Sequence, residues 1–352
     1  MSISVHQRPG VYSSYDASAV VSGSGTGRLV GLVGINHQAP AGEVLTVTSY
    51  DRAVALFGSQ GSEDMAELIR LALKNGASGV AAVPVADRSG YEAAFAKLAG
   101  VENIALVLCD STDVEVQKKM RDSVVSASEL RRERLCVAAG AKEESVEELI
   151  ARAGELNHER AVLAAPGGLD GQGNPISGLP LAAAIAGVIA GEGDPAVPLG
   201  GARLQGLHGL SSRLEDNDID LLVLGGVTPV ESLGGVVSVV RGVTSRTSTA
   251  GTADASWRDL SAIRVVDDVI PSLRTALRSK FYRAKNTAQS RGAIRAQVVL
   301  ELENKLTREI ITDYDGVSVA ADPEDPTRCL VDFSFAVAHG LNQIWLTAHI
   351  TV

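Results

Sequence analysis

Residues 79–109 read GVAAVPVADRSGYEAAFAKLAGVENIALVLC, and the order of events in that stretch decides the fold. Two runs in it, GVAAVPV at 79–85 and NIALVLC at 103–109, are almost wholly apolar. A strand with one wet face alternates apolar and polar residues, whereas a strand that is apolar throughout is covered on both faces. Between the runs, YEAAFAKLAG spaces its apolar residues as a helix does and ends on a glycine that stops it. Strand, helix and strand in that order, with both strands buried, define an α/β layer whose sheet is parallel or mixed.

The unit recurs in both directions. Upstream, RLVGLVGI at 28–35 reads as a strand, a helix opens at Ser49 or Asp51 and ends near Gly58, and a second helix covers 63–75. Downstream, Asp113 caps a helix to about Glu133, followed by strand LCVAAG, a helix over 145–157 and strand RAVLAAP. PGGLDGQGNPISG at 166–178 reads as a loop. The longest apolar stretch, LPLAAAIAGVIAG at 179–191, is shorter than the roughly 20 residues a membrane span needs, so it reads as a buried Ala-rich helix and no membrane insertion is expected. LLVLGG at 221–226 and GVVSVVRGVT at 235–244 read as strands, and 244–256 as a small-residue loop. Residues 260–289 are mostly helical, with Pro271 near a start or kink, and another helix spans about 292–308.

The end of the chain changes period. LVDFSFAVA at 330–338 puts Val331, Phe333, Phe335 and Val337 on one face, and IWLTAHITV at 344–352 does the same with Ile344, Leu346, Ala348, Ile350 and Val352. Both have the period of two of half-buried strands. At the other end, residues 1–28 read as an extended arm rich in Ser and Gly. Two such ends present unpaired backbone groups, which are templates for another chain.

Composition narrows the classes. The 352 residues are 45% hydrophobic and 21% charged, ordinary for a globular chain of about two domains. A net charge of −10 argues against nucleic acid as the partner of the whole surface. The three cysteines, Cys109, Cys136 and Cys329, stand far apart, with no zinc pattern. SGSGTG at 22–27 precedes a strand instead of following one, so it reads as a linker and not a dinucleotide fingerprint. The loop from Asp170 to Asn174 lacks the glutamate a calcium loop requires. None of the six histidines forms a metal pair, and no nucleophile elbow or phosphate loop occurs. Catalytic, cofactor and metal sites are therefore expected to be absent; the alternative is an α/β enzyme with dispersed catalytic residues.

One charge pattern stands out. Between Val269 and Leu300 lie Arg274, Arg278, Lys280, Arg283, Lys285, Arg291 and Arg295 and no acid. Either these pair with the protein's own carboxylates or they meet an acidic partner; with only Phe281 and Tyr282 to stack bases, nucleic acid fits poorly.

Several segments, taken in order, resemble contractile phage tail sheath proteins, including those of phage-tail-like bacteriocins. RPGVY at 8–12 is similar to the motif that opens many of them, and LVG at 32–34 follows. LPLAAAIAGVIAGEGDPAVPLGGARLQGL at 179–207, VVRGVTSRTSTAGTADASWRDLSAIRVVDDVI at 239–270 and VDFSFAVAHGLNQIWLTAHITV at 331–352 resemble later segments, while 40–165 matches only in type. The resemblance implies a discontinuous inner domain built from N- and C-terminal segments, outer α/β material and extended terminal arms. The boundaries it suggests here are an arm at 1–28, an outer domain at 29–170, an inner domain at 171–340 and a C-terminal strand arm at 341–352. It implies no enzyme activity but a subunit that polymerises with itself as stacked helical rings around a tail tube, contracts, and meets baseplate and tail terminator proteins. It also implies a location in a virion or tail-like particle assembled in the bacterial host cytoplasm. Ile3, Val5, Val11, Tyr12, Ile344, Leu346, Ile350 and Val352 are the expected intersubunit strand residues. Arg278, Lys280, Arg283, Lys285 and Arg291 are the expected contacts to the tube or a neighbour.

Overall fold

The computed structural model describes residues 28–59 and 61–349. Six strands run parallel at the centre of a single sheet: β1 (Leu29–Ile35), β3 (Gly79–Val85), β4 (Ile104–Cys109), β5 (Leu135–Ala139), β6 (Ala161–Ala165) and β7 (Thr228–Leu233). Two short antiparallel strands close its sides, β2 (Leu45–Val47) and β8 (Val236–Val239), in the order β2-β3-β1-β4-β5-β6-β7-β8.

The continuous apolar runs now have their reason. Val30, Leu32, Val80, Ala82, Leu106 and Leu108 face one side of the sheet, where α1 (Tyr50–Phe57), α2 (Met65–Lys74) and α6 (Leu179–Gly191) cover them. Val33, Ala81, Val83, Val107 and Cys109 face the other, under α3 (Tyr91–Ala99), α4 (Val114–Glu129), α5 (Val146–Leu156) and α7 (Asp216–Leu224). The pleat sends alternate residues to opposite sides, and both sides are dry. Helix starts follow local chemistry: the side chains of Ser49, Asp64, Asp113 and Ser145 each accept a backbone N–H of the first turn.

The Ala-rich α6 is buried almost all round. Its small residues let it press on α2: a Cβ on Gly187 would lie 2.4 Å from the Ala72 carbonyl oxygen, and one on Gly191 would lie 2.9 Å from Gly76.

LLVLGG is not a strand. Residues 216–224 form α7, in which Leu222 is buried while Leu221 and Leu224 are exposed. A reciprocal cap between Glu215 and Asp218 nucleates the helix, and the apolar run is its last turns. The strand that enters the sheet follows it as β7, and the expected strand over 235–244 ends at Val239 as β8. Residues 248–253 of the expected loop form a small hairpin, β9 (Ser248–Thr249) with β10 (Thr252–Ala253). The expected domain boundary at 170–171 falls inside this unit, because α6, β7 and β8 all complete its sheet and core.

After the sheet, α8 (Leu260–Phe281) and α9 (Ala288–Thr307) pack against a two-stranded antiparallel sheet of β11 (Ile311–Ala321) and β12 (Cys329–Val337). Pro271 sits inside α8, where it withholds one backbone donor without ending the helix. Leu260 and Ile263 of α8 belong to the core beneath the large sheet, and Val265, Val269 and Leu273 to the separate core of this C-terminal layer. A forked pair of hydrogen bonds, Arg160 Nη1 and Nη2 to Asp267 at 2.7 and 2.9 Å, fastens α8 to the start of β6. Arg274 reaches Glu133 at 2.8 Å, and Lys305 binds Asp268 and Ser272 within the layer.

Candidate assembly surfaces

β12 alternates as its sequence demands. Val331, Phe333, Phe335 and Val337 turn toward the core of α8 and α9, with the Phe333 and Phe335 rings 6.3 Å apart, while Leu330, Asp332, Ser334 and Ala336 are exposed. β11 is the less regular partner: the register shifts between Ile311 and Asp313 and again between Asp315 and Ser318, with Gly316 at φ +68°. Among the described residues β11 and β12 pair only with each other, so each keeps one unpaired edge.

The chain leaves this sheet at a defined point. Ala338 N donates to Ile310 O at 3.2 Å, and Gly340 passes so close to Pro198 that a Cβ there would lie 2.6 Å away. Beyond it the expected strand does not form within the described residues: 338–349 carry no ladder. Leu341, Ile344, Trp345 and Leu346 are 75%, 80%, 89% and 91% exposed. A strand is defined by its neighbour, and 341–349 has none among the described residues. Ile344 and Leu346 therefore present apolar surface and free backbone groups together. Ile3, Val5, Val11, Tyr12, Ile350 and Val352 lie outside the described residues.

The basic stretch forms the end of the α8–α9 hairpin. Of its seven cations, Arg274 is held by the protein's own carboxylate. Lys280 donates to Gln297, Arg291 to Asn286 Oδ1 at 2.9 Å, and Arg295 to Val317 O at 2.9 Å. Arg278, Arg283 and Lys285 are exposed and have no ion pair among the described residues. Arg278 stands apart from the tip, on the wall of a cavity between α8 and the large sheet.

The carboxylate at the switch point of the large sheet is engaged by the protein's own groups. Asp110, at the end of β4 beside β1, is the position where a doubly wound sheet would take a ligand. Its carboxylate accepts the Tyr91 hydroxyl and, at 2.7 Å, Ile35 N–H. Burial pushes the Asp110 carboxyl above its ordinary range, and burial drives the Cys109 and Cys136 thiols up to about 12. Among the described residues no group of three or more His, Cys, Asp or Glu is placed to hold a metal, and no helix is long and apolar enough to cross a membrane.

A closed α/β body joined to a small sheet with open edges and a bare apolar tail defines a subunit built for assembly. Comparison with known proteins gives the class its family. Residues 85–245 match the phage tail sheath protein central domain and residues 252–351 the phage tail sheath C-terminal domain. The chain belongs to the phage tail sheath family. The tail sheath protein of Bacillus phage SP01 is 28% identical over 254 residues, 70% of this chain and 43% of that protein, so the chain spans under half of that relative. The fold is shared with the anti-feeding prophage helical sheath in its contracted state, at TM-score 0.73 and 17% identity over 98% of this chain and 99% of that one. It is also shared with the contracted PVC sheath complex of an extracellular contractile injection system, at TM-score 0.70 and 16% identity over 99% of both chains. The sheath tail protein of Desulfitobacterium hafniense gives TM-score 0.67 and 14% identity over 93% of this chain and 100% of that one.

Proposed function

We propose that this chain is the structural subunit of a contractile sheath, polymerising as stacked helical rings around a tail tube and contracting to drive the tube through a target envelope. The observation that carries the reading is the exposed apolar tail at 341–349 beside a small sheet with unpaired edges. Strand addition supplies main-chain hydrogen bonds, and the alternate residues Ile344 and Leu346 supply register. A head-to-tail donation that does not close on itself yields a helical filament. Residues 1–28 are the second arm in this reading, and Ile3, Val5, Val11 and Tyr12 its inserted residues. The large-sheet body takes the outer position and the α8–α9–β11–β12 layer the inner one. Lys280, Arg283, Lys285 and Arg291 then face an acidic tube or neighbour. Exposed pairs of this kind contribute about 0–1 kcal/mol each, which suits a contact that must be released. A baseplate and a tail terminator are the further partners, in a tail or tail-like particle assembled in the host cytoplasm. The work is mechanical and not enzymatic.

Deleting residues 341–352 tests it. The expected product is a folded monomer with the thermal transition of the full chain and no tubular polymer by negative-stain electron microscopy; unaltered polymers overturn the reading.

A further inference from the structure

The cavity between α8 and the large sheet has about 540 Å³ of space and lies at the N-terminal ends of β4 and β5. Arg28, Arg131, Arg132, Arg134, Arg264 and Arg278 line it, and none of the six makes an ion pair among the described residues. Two of the lining acids are already used from outside the cavity, Asp267 by Arg160 and Glu133 by Arg274. Glu102 is exposed. Arg264 is 5% exposed; its terminal nitrogens reach only the carbonyls of Val197 and Asp194, and its Nε has no partner. Burial pushes its pKa down to about 10. An unpaired buried guanidinium invites an anion.

The opposite end of the same strands carries the opposite sign. α5 and α7 pack side by side, and each leads into a parallel strand, so their N-termini stand together at the C-terminal ends of the strands. There Glu143, Glu147, Glu148, Glu215, Asp216 and Asp220 are exposed, and none is in an ion pair among the described residues. The helix dipole accounts for acids in a first turn. It does not account for Glu143 and Asp220, nor for Arg28 and Arg264 at the far end. Each end also shows a leucine to solvent, Leu130 at the cavity and Leu221 on the ridge.

We propose that the arginine cavity of one copy receives the acidic α5–α7 ridge of the next, a head-to-tail contact between the two ends of the sheet. It rests on the sheath reading and adds a contact that neither arm makes. Such a contact is heterologous and propagates without closing. Its many exposed pairs are weak singly, act together, and fade with salt.

Charge exchange tests it. One variant carries Arg131→Glu and Arg278→Glu, another Glu147→Lys and Asp220→Lys, and circular dichroism checks their folds. Each alone should lower the polymer fraction at low salt by about tenfold or more, because like charges then face each other. A chain carrying all four substitutions, or an equal mixture of the two variants, should restore it, since every contact again joins opposite signs. Full polymers from either variant alone, or no recovery on exchange, overturn the contact while leaving the sheath reading intact. An unsubstituted chain that forms no polymer overturns both. If a reversal unfolds the chain, Arg278→Gln and Asp220→Asn carry the test: fewer polymers with a flatter salt dependence support the contact, and unchanged polymers overturn it.

Discussion

The large sheet and the small one differ in composition and in how they end: wholly apolar central strands in the first, alternating apolar and polar ones in the second. The large sheet finishes on β2 and β8, three and four residues long, and its central strands are almost fully buried. Short edge strands offer little for another chain to pair with. Among the described residues the small sheet consists of two edges, 11 and nine residues long, half-buried on one face and open on the other. One region stops growth and the other invites it. A protein that must hold its shape while remaining linked to neighbours needs both, and here they are separate in sequence and in core.

The contrast breaks most sharply at the joint between the two regions. Arg160→Ala leaves Asp267, on α8, without its ion-pair partner, and removing one partner of a buried pair costs about 3–5 kcal/mol. We expect calorimetry to resolve two transitions, the C-terminal layer melting first. Gly187→Ala should fall on the body instead, since its methyl would meet the Ala72 carbonyl at 2.4 Å; overpacking of this kind costs roughly 1–3 kcal/mol and lowers the denaturation midpoint of the body. Phe333→Ala should loosen only the small sheet by about 1–2 kcal/mol, seen as faster amide exchange in β11 and β12 with the central strands unchanged. Lys285→Ala should leave stability within about 0.5 kcal/mol while weakening assembly in low salt, as co-sedimentation would report.

The smallest effect is on pH dependence. Burial raises the Glu133 carboxyl, but hydrogen bonding to Arg274 and the charges of Arg274 and Arg160 outweigh it, so its pKa is net lowered. That stabilisation is present above the unfolded Glu value of about 4.3 and is lost as pH falls through the folded value. Asp267 is the opposite case: burial outweighs Arg160 and raises it, so acidification relieves a penalty there. We expect Glu133→Gln to flatten the acid limb of the stability profile and Asp267→Asn to steepen it.

The sequence carried the body well, because a period is legible when both faces of a strand are buried or when a helix has a capped start. α7 escaped because a short apolar run reads equally as strand or helix, and the deciding signal, Glu215 with Asp218, lies upstream of the run. β11 escaped because its two register shifts break the alternation. At the surfaces, the period of two at 344–352 read as an amphipathic strand, but 338–349 carries no ladder among the described residues, because a period shows a face and not the neighbour a strand needs. The basic stretch was visible as composition, whereas the fate of each cation depended on neighbours distant in sequence, such as Glu133 for Arg274. The arginine cavity was not legible as a unit, since its residues come from five separate segments and only Arg131, Arg132 and Arg134 are clustered in sequence.

One consequence of α8 concerns force. Its 22 residues make a rod of roughly 33 Å, seated at one end in the core of the large sheet and at the other in that of the small one. In the proposed assembly, a pull on the tail enters the subunit through β12 and the rod, which the Arg160–Asp267 fork ties to the start of β6. In that assembly, torque arriving through the tail reaches the large body along this rod, so twisting at one link passes into the turning of a whole subunit.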